Sequence, residues 1–345
     1  MSDLKNIHIS ENPNGEIASL INQLAPSALF VLTDANTKKH CYPLLKPFLP
    51  KHKVLVIPKG EQHKNLETCQ LVWNWLTEFQ ADRSALLINL GGGVVGDLGG
   101  FCAGVYKRGI HFIQIPTTLL AMADASVGGK TGIDYEGFKN HLGLFAQPEQ
   151  VVIYTDFLKT LPETELISGW AEVVKHCLIA DSQKWQEIKH IEPQEASMLS
   201  WVAHAVSIKS NITTQDPTEK GLRKGLNFGH TIGHGIESYF LAQEKPILHG
   251  FAIAAGMAIE SFIAWKKKLI SAEELEEIEE FMLSTFGVIR LEKEHIQPIV
   301  ALMKQDKKNE NGHIFLALPN GIGQVKVHVP VTTKEIVEAI NWYRG

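Results

Sequence analysis

Ala85-Leu-Leu-Ile-Asn-Leu-Gly-Gly-Gly-Val-Val-Gly-Asp97 passes from an apolar strand pattern directly into a glycine-rich turn and the start of a helix. Residues 91–96 fit G-x-G-x-x-G, in which a bare backbone lets N–H groups approach a pyrophosphate at a helix N-terminus. A plain packing turn does not explain three consecutive glycines followed by Gly96-Asp97. Two features depart from the usual dinucleotide pattern. The loop follows a late strand rather than the first. About 20 residues on, where a ribose-binding acid is expected, stand Lys107, Arg108 and His111. Asp34, at the end of the second predicted strand, is available for that role.

Outward from this stretch, residues 28–33, 54–58, 85–90, 111–115 and 151–154 are short apolar runs rich in β-branched residues. They read as buried parallel strands. Residues 65–79 and 94–105 read as helices between them. The alternation predicts an α/β N-terminal domain with a Rossmann-like parallel sheet over 1–155. Helical periodicity then takes over at 163–179, 194–213, 222–241, 250–269 and 272–286. A late hairpin is expected from 313–318 and 324–328. The expectation is a mainly α-helical domain over 156–345, with the two domains packed around a cleft.

The 345 residues suit two domains better than one core. With 44% hydrophobic and 21% charged residues and a net charge of −5, the chain reads as soluble and globular. That balance argues against nucleic acid or an anionic membrane as principal partner. Residues 86–105 approach the length of a membrane span, but seven glycines and Asp97 fit a strand, loop and packed helix better. The N-terminus has no apolar signal region, and the four cysteines form no framework. A reduced, cytoplasmic protein is expected.

His230 and His234 stand four apart in a helical pattern, so both imidazoles leave one face. His249 precedes another apolar helical run. Imidazole is the commonest metal ligand, although a helical pair can equally be packed or solvated. Glu172 and Lys175 share a helix face, either as a surface pair worth a few tenths of a kcal/mol or as a carboxylate ligand facing a cleft. His176 and His204 read as packing or surface histidines. Gly-Gly-Lys-Thr at 128–131 resembles part of a phosphate-binding loop, but Asp124 and Ala125 stand where its first glycine is required, which excludes an ATPase. Lys130 and Lys139 remain anion-binding candidates.

The order Gly91-Gly-Gly-Val-Val-Gly-Asp97, Gln114-Ile-Pro-Thr-Thr-Leu-Leu120, Asp124 to Lys130, Lys139-Asn140, Ala171-Glu-Val-Val-Lys175, Leu226-Asn-Phe-Gly-His-Thr-Ile-Gly-His234 and Leu248-His-Gly250 closely resembles the 3-dehydroquinate synthase family. The resemblance runs from about Asp34 to Asp306-Lys307-Lys308. It implies a cytoplasmic homodimer of the shikimate pathway, converting 3-deoxy-D-arabino-heptulosonate 7-phosphate to 3-dehydroquinate and phosphate. The implied sequence is transient oxidation, phosphate loss, reduction, ring opening and aldol closure. The implied cofactors are catalytic NAD⁺ and a divalent metal, Zn²⁺ or Co²⁺.

Carried over residue by residue, Glu172, His230 and His249 would bind the metal. NAD⁺ would contact Gly91, Gly92, Gly93 and Asp97, with Thr117, Thr118, Asp124 and Lys139 near the nicotinamide half. Asp34, Asn36, Glu61 and Lys64 would meet the ribose and adenosine, and Phe157 and Thr160 the adenine. Arg223 and Lys209 would hold the substrate carboxylate. Lys130, Asn140, Lys175, Asn227 and His234 would surround its phosphate, with Arg108 reaching in from the partner subunit. Glu219 and His234 match proton acceptors, and one of Lys307 and Lys308 should touch substrate. Ala125, Ser168 and Phe251 depart from the family pattern without removing a ligand.

Three rivals remain. A cyclase making cyclitol precursors would keep loop and metal triad, but Lys139-Asn140, Lys209 and Arg223 favour the heptulosonate substrate. A metal-dependent polyol dehydrogenase would not need so many phosphate-directed cations. A non-catalytic metal-binding protein would not fill every catalytic position.

Overall fold

The computed structural model describes residues 6–13, 15–136, 138–305 and 314–345. The chain divides into two compact units. The first runs to Pro162 and includes Ser197–Ser210; the second comprises Glu163–Ala196 and Asn211–Gly345.

In the first unit the order is β1 (Ile7–Ser10), α1 (Glu16–Leu24), β2 (Leu29–Asp34), α2 (Ala35–His40), α3 (Tyr42–Leu45), β3 (Lys53–Ile57), α4 (Leu66–Glu78), β4 (Leu86–Gly91), α5 (Gly93–Val105), β5 (His111–Pro116), β6 (Lys130–Tyr135), β7 (Phe138–Phe145) and β8 (Gln150–Tyr154). Six strands pair in the order β1-β8-β5-β4-β2-β3, every neighbour parallel. Phe30 and Leu32 of β2 and Leu87 of β4 pack with Val72, Leu76 and Leu98 of the flanking helices. Strands covered on both faces carry continuous apolar runs, which is why they are readable without alternation.

Three local features differ from the sequence expectation. β6 and β7 form an antiparallel hairpin that is absent from the strands expected from sequence. Its segments mix glycine with charged residues, and Thr131, Gly132 and Ile133 are buried in succession between exposed Lys130 and Tyr135, so no two-residue period marks the strand. β1 is a four-residue strand with too few residues to show a period. The expected helix over 222–241 is interrupted. A 3₁₀ turn spans Leu222–Asn227 and the α-helix begins only at His230, because Gly229 turns left-handed at φ 78°.

The second unit contains α6 (Glu163–Ala180), α7 (Ser182–Ile188), the last residues of α8 (Met198–Gln215), α9 (His230–Ala242), α10 (His249–Lys266), α11 (Ala272–Phe286), α12 (Ile296–Gln305), the antiparallel pair β9 (Ile314–Pro319) and β10 (Val325–Val331), and α13 (Thr333–Arg344). α10 is buried on all sides from Ala252 to Ala264 and packs against α6, α9, α11 and α13. An all-round apolar sequence is what a central helix requires. All four cysteines are free and buried. No helix among the described residues is long and apolar enough to cross a membrane.

The start of α13 is held by a capping box between Thr332 and Glu335, and Glu335 also meets Lys267, the residue that caps the end of α10, at 2.6 Å. Burial alone would raise the Glu335 carboxyl, but Lys267 and Thr332 outweigh it and hold it below the usual range. The folded value lies below the unfolded one. The stabilisation is therefore present above the unfolded value of about 4.3 and is lost as pH falls through the folded value. Glu335→Gln keeps the capping-box acceptor and loses the ion pair, so it should cost about 0.5 kcal/mol at pH 7, with a difference from wild type that shrinks towards pH 3 in thermal melts.

Candidate active site

Glu172 lies on α6 with none of its surface exposed. One carboxylate oxygen pairs with Lys175, itself 1% exposed, one turn along the helix. The other faces two imidazoles, with Oε1 3.3 Å from Nε2 of His230 and 3.8 Å from Nε2 of His249. The pair seen in sequence is thus a buried one. Burial alone would raise the Glu172 carboxyl, yet Lys175 and His230 together hold it well below the usual carboxylate range. Burial, reinforced by Lys175, lowers His230 despite Glu172. His249 goes the other way: burial would lower it, but the Glu172 and Glu237 carboxylates push it up to about 9.

His234 belongs to the same cluster. Nitrogens of His230, His234 and His249 all lie within 4.8 Å of one another. Donors at about 2.1 Å around a tetrahedral zinc sit about 3.4 Å apart, close to the 3.3 and 3.8 Å that separate the Glu172 oxygen from the His230 and His249 nitrogens. Carboxylate plus imidazole is a donor set suited to Zn²⁺ or Co²⁺.

Backbone contacts set this geometry. His230 and His249 are the first residues of α9 and α10. Next to His249, a Cβ on Gly250 would lie 1.7 Å from the carbonyl oxygen of Ser168, one turn before Glu172. Only glycine permits so close an approach, and the Gly250 N–H donates to Ser168 Oγ at 3.0 Å. Deeper in α10, a Cβ on Gly256 would lie 2.0 Å from the carbonyl oxygen of Gly229, the residue before His230. Glu260, also fully buried, accepts the N–H groups of Gly229 at 2.7 Å and Ile232 at 3.2 Å and so anchors the start of α9.

Elsewhere in this unit Asn227 donates to Glu219 Oε1 at 2.6 Å, and Arg223 donates to the Pro217 carbonyl at 2.8 Å. Glu219 holds a left-handed φ of 59°. Lys307 and Lys308 lie outside the described residues.

In the first unit the glycine loop joins β4 to α5 near the middle of the sheet. Gly91 ends the strand, Gly92 caps the helix and Gly93 opens it. Thr117 is tied to Gly91 by a 3.0 Å backbone bond, yet its hydroxyl is buried with no hydrogen-bond partner among the described residues. Buried hydroxyls are normally satisfied, so a donor or acceptor from a ligand at this loop fits the vacancy in its bonding. Thr118 packs on Gly92, where a Cβ would come within 3.0 Å of it.

Around the loop, Lys64 donates to Asp97 Oδ2 and Asn140 Oδ1, both at 2.6 Å, and is 3% exposed. Burial would lower the Lys64 ammonium, but Asp97 and Glu61 outweigh it and raise it; burial raises the Asp97 carboxyl despite Lys64. Lys139 sits 3.6 Å from Glu61, and Asn140, at φ 50°, donates its N–H to Asp134 Oδ1. Lys209 meets Asp124 at its side chain (2.7 Å) and its carbonyl (2.5 Å), where Ala121–Ala125 forms one π turn. Asp34 caps α2 through Thr37, with Asn36 exposed beside it. Phe157 is buried against Tyr154, and Thr160 closes the same 3₁₀ segment. Lys130 is exposed on β6. Arg108 is exposed on a turn where Lys107, Arg108 and Gly109 all have positive φ.

Sequence reasoning passed over Glu237, Glu260 and Asp134 as participants, and saw Ser168 only as a departure from a pattern. Glu237 was findable: it continues the His230, His234 stripe at helical spacing. Glu260 gave no such signal, because its partners are backbone atoms of another helix.

Two family models match in tandem, 3-dehydroquinate synthase N-terminal over residues 54–168 and C-terminal over 169–309. A 3-dehydroquinate synthase of Parabacteroides distasonis is 38% identical, covering 100% of this chain and 99% of its own. One from Prochlorococcus marinus is 37% identical over 93% and 90%. Among solved structures, 2-epi-5-epi-valiolone synthase of Streptomyces hygroscopicus, with NAD⁺ and Zn²⁺ bound, superposes at a TM-score of 0.87 with 25% identity, covering 98% and 96%. An NADH-dependent butanol dehydrogenase of Thermotoga maritima shares the fold at 0.70 and 13% identity over 99% and 97%. Fold, site and relatives define an enzyme, a phosphate-eliminating cyclase. The chain belongs to the 3-dehydroquinate synthase family.

Gly250→Ala should force α10 away from Ser168 at a cost of about 1–3 kcal/mol. A lower melting temperature and reduced zinc content in the purified variant are the expected readings.

Proposed function

We infer that the chain is a 3-dehydroquinate synthase, converting 3-deoxy-D-arabino-heptulosonate 7-phosphate to 3-dehydroquinate and inorganic phosphate with NAD⁺ and Zn²⁺ or Co²⁺. The full-length match to a curated synthase carries this reading. The carboxylate with its two imidazoles and the loop hydroxyl awaiting a partner support it. Glu172, His230 and His249 would hold the metal. Gly91, Gly92, Gly93, Asp97, Thr117, Thr118, Asp124 and Lys139 would hold the dinucleotide, with Asp34, Asn36, Glu61, Lys64, Phe157 and Thr160 at its adenosine end. The dinucleotide held there would supply a reversible hydride acceptor, and the metal would supply polarisation of the alcohol to be oxidised.

The remaining work falls to the chain's own side chains. Arg223 and Lys209 supply cations for the substrate carboxylate, the guanidinium in a form suited to bidentate binding. Lys175, Asn227 and His234, with Lys130 and Asn140 of the first unit, serve the phosphate. Holding that dianion orients the sugar and offsets the charge of the leaving group. His234 and Glu219 are the groups for accepting protons, Glu219 positioned by Asn227. We assign residues 1–155 to dinucleotide binding and 156–345 to metal and substrate binding. The working form is proposed as a cytoplasmic homodimer, with exposed Arg108 contributed to the neighbouring subunit.

Purified protein given the heptulosonate phosphate, NAD⁺ and Zn²⁺ should release phosphate with no net NADH. Stoichiometric NADH would instead identify a dehydrogenase, and absence of phosphate release would sink the reading. Glu172→Gln should lose activity and weaken zinc binding by more than about 100-fold, beyond the loss of an outer partner. Its helical circular dichroism should persist at a lower melting temperature, because Lys175 loses a buried counter-ion. Zinc retained at wild-type affinity would remove Glu172 from the ligand set.

A further inference from the structure

We propose that Glu237 is a positioning residue: it fixes the ring orientation and tautomer of His249 and thereby the affinity of the metal centre. The inference rests on the metal reading above and goes beyond it, since Glu237 would touch neither metal nor substrate.

Glu237 follows His230 and His234 on one stripe of α9, at i, i+4 and i+7. It is 6% exposed. Its Oε2 lies 3.2 Å from Nδ1 of His249, while Nε2 on the far side of the ring faces Glu172 Oε1 at 3.8 Å. The ring is therefore held between two carboxylates. A carboxylate can only accept, so Nδ1 donates to Glu237, and a cation at the cluster would take the place of the Nε2 proton and receive that nitrogen's lone pair. His230 is arranged alike: Nδ1 lies 3.1 Å from the Phe228 carbonyl oxygen and Nε2 3.3 Å from Glu172. Each of the two imidazoles thus has an acceptor behind it, a backbone carbonyl for one and a side chain for the other.

Glu237 also completes the hold on the start of α10. Ser168 fixes the backbone beside His249 through the Gly250 N–H, but nothing in that bond determines the rotation of the ring. A full negative charge behind the imidazole also makes the opposite nitrogen a stronger donor to a cation.

The test compares wild type, Glu237→Gln and Glu237→Ala as full-length proteins. Zinc affinity is read by competition with a chromophoric chelator. The His249 tautomer is read by nitrogen-15 NMR of histidine-labelled, zinc-loaded protein, and melting temperature is measured without metal. Glu237→Ala should bind zinc about 10–100-fold more weakly, with displaced His249 ring-nitrogen signals. Glu237→Gln, whose carbonyl still accepts the Nδ1 proton, should keep the wild-type tautomer and recover most of the affinity. Wild-type affinity and unchanged His249 signals in the alanine variant would overturn the proposal. So would a loss of affinity that only tracks a fall in the metal-free melting temperature of both variants. Failure of the wild-type protein to bind zinc would show in the same titration before any substitution is considered, and would overturn the metal reading and this inference together.

Discussion

A carboxylate with no exposed surface stays ionised only if positive charge and polarised N–H groups are brought to it. The effective cost of burying one ion is several kcal/mol, and pairing offsets it only when geometry is good. Glu172 imposes that requirement on the second unit, and three helices meet it. α6 provides Lys175 from its own next turn. α9 and α10 each present a histidine at their first residue. The division of labour between the two oxygens matters chemically: Lys175 neutralises one, leaving the other to face the imidazoles as a single directed donor.

Bringing three helices this close is a problem of backbone volume rather than of side-chain attraction. α10 solves it with glycine at the two positions where it meets neighbouring carbonyls, Gly250 against Ser168 and Gly256 against Gly229. From Ala252 to Ala264 the helix is buried and, apart from Glu260 and Ser261, apolar or glycine, so hydrophobic packing against four helices holds the approach in place. Glu260 and Ser168 convert the approach into a defined register by accepting specific N–H groups. The first unit works by a different logic. There a parallel sheet places the start of α5 at the carboxyl end of the central strand β4, and the glycines leave the backbone open to a ligand.

The sequence was most informative where structure depends on local periodicity. Strands β2, β4, β5 and β8 are apolar runs covered on both faces, β3 is an apolar run at the sheet edge, and the glycine loop follows one of the covered strands. The β6–β7 hairpin was illegible because its glycines and charged residues mimic a loop. The helix expected through residues 222–241 broke at Gly229, whose left-handed backbone no hydrophobic pattern reveals. Spacing paired His230 with His234, and the structure does place both in one cluster. That Glu172 and His249 join them depends on contacts between helices far apart in sequence, which spacing cannot encode. Family resemblance indicated those residues, whereas Glu260 emerged only from the packing.

The three groups around Glu172 come from separate helices, and none of them adjoins another in the chain. No local peptide can therefore assemble the site ahead of the tertiary fold. A cation held there would bind the native second unit and discriminate against every partly unfolded form, stabilising it by mass action in proportion to the logarithm of free metal. The lifetime of the protein against opening and proteolysis would then rise and fall with the cell's metal supply, independently of turnover.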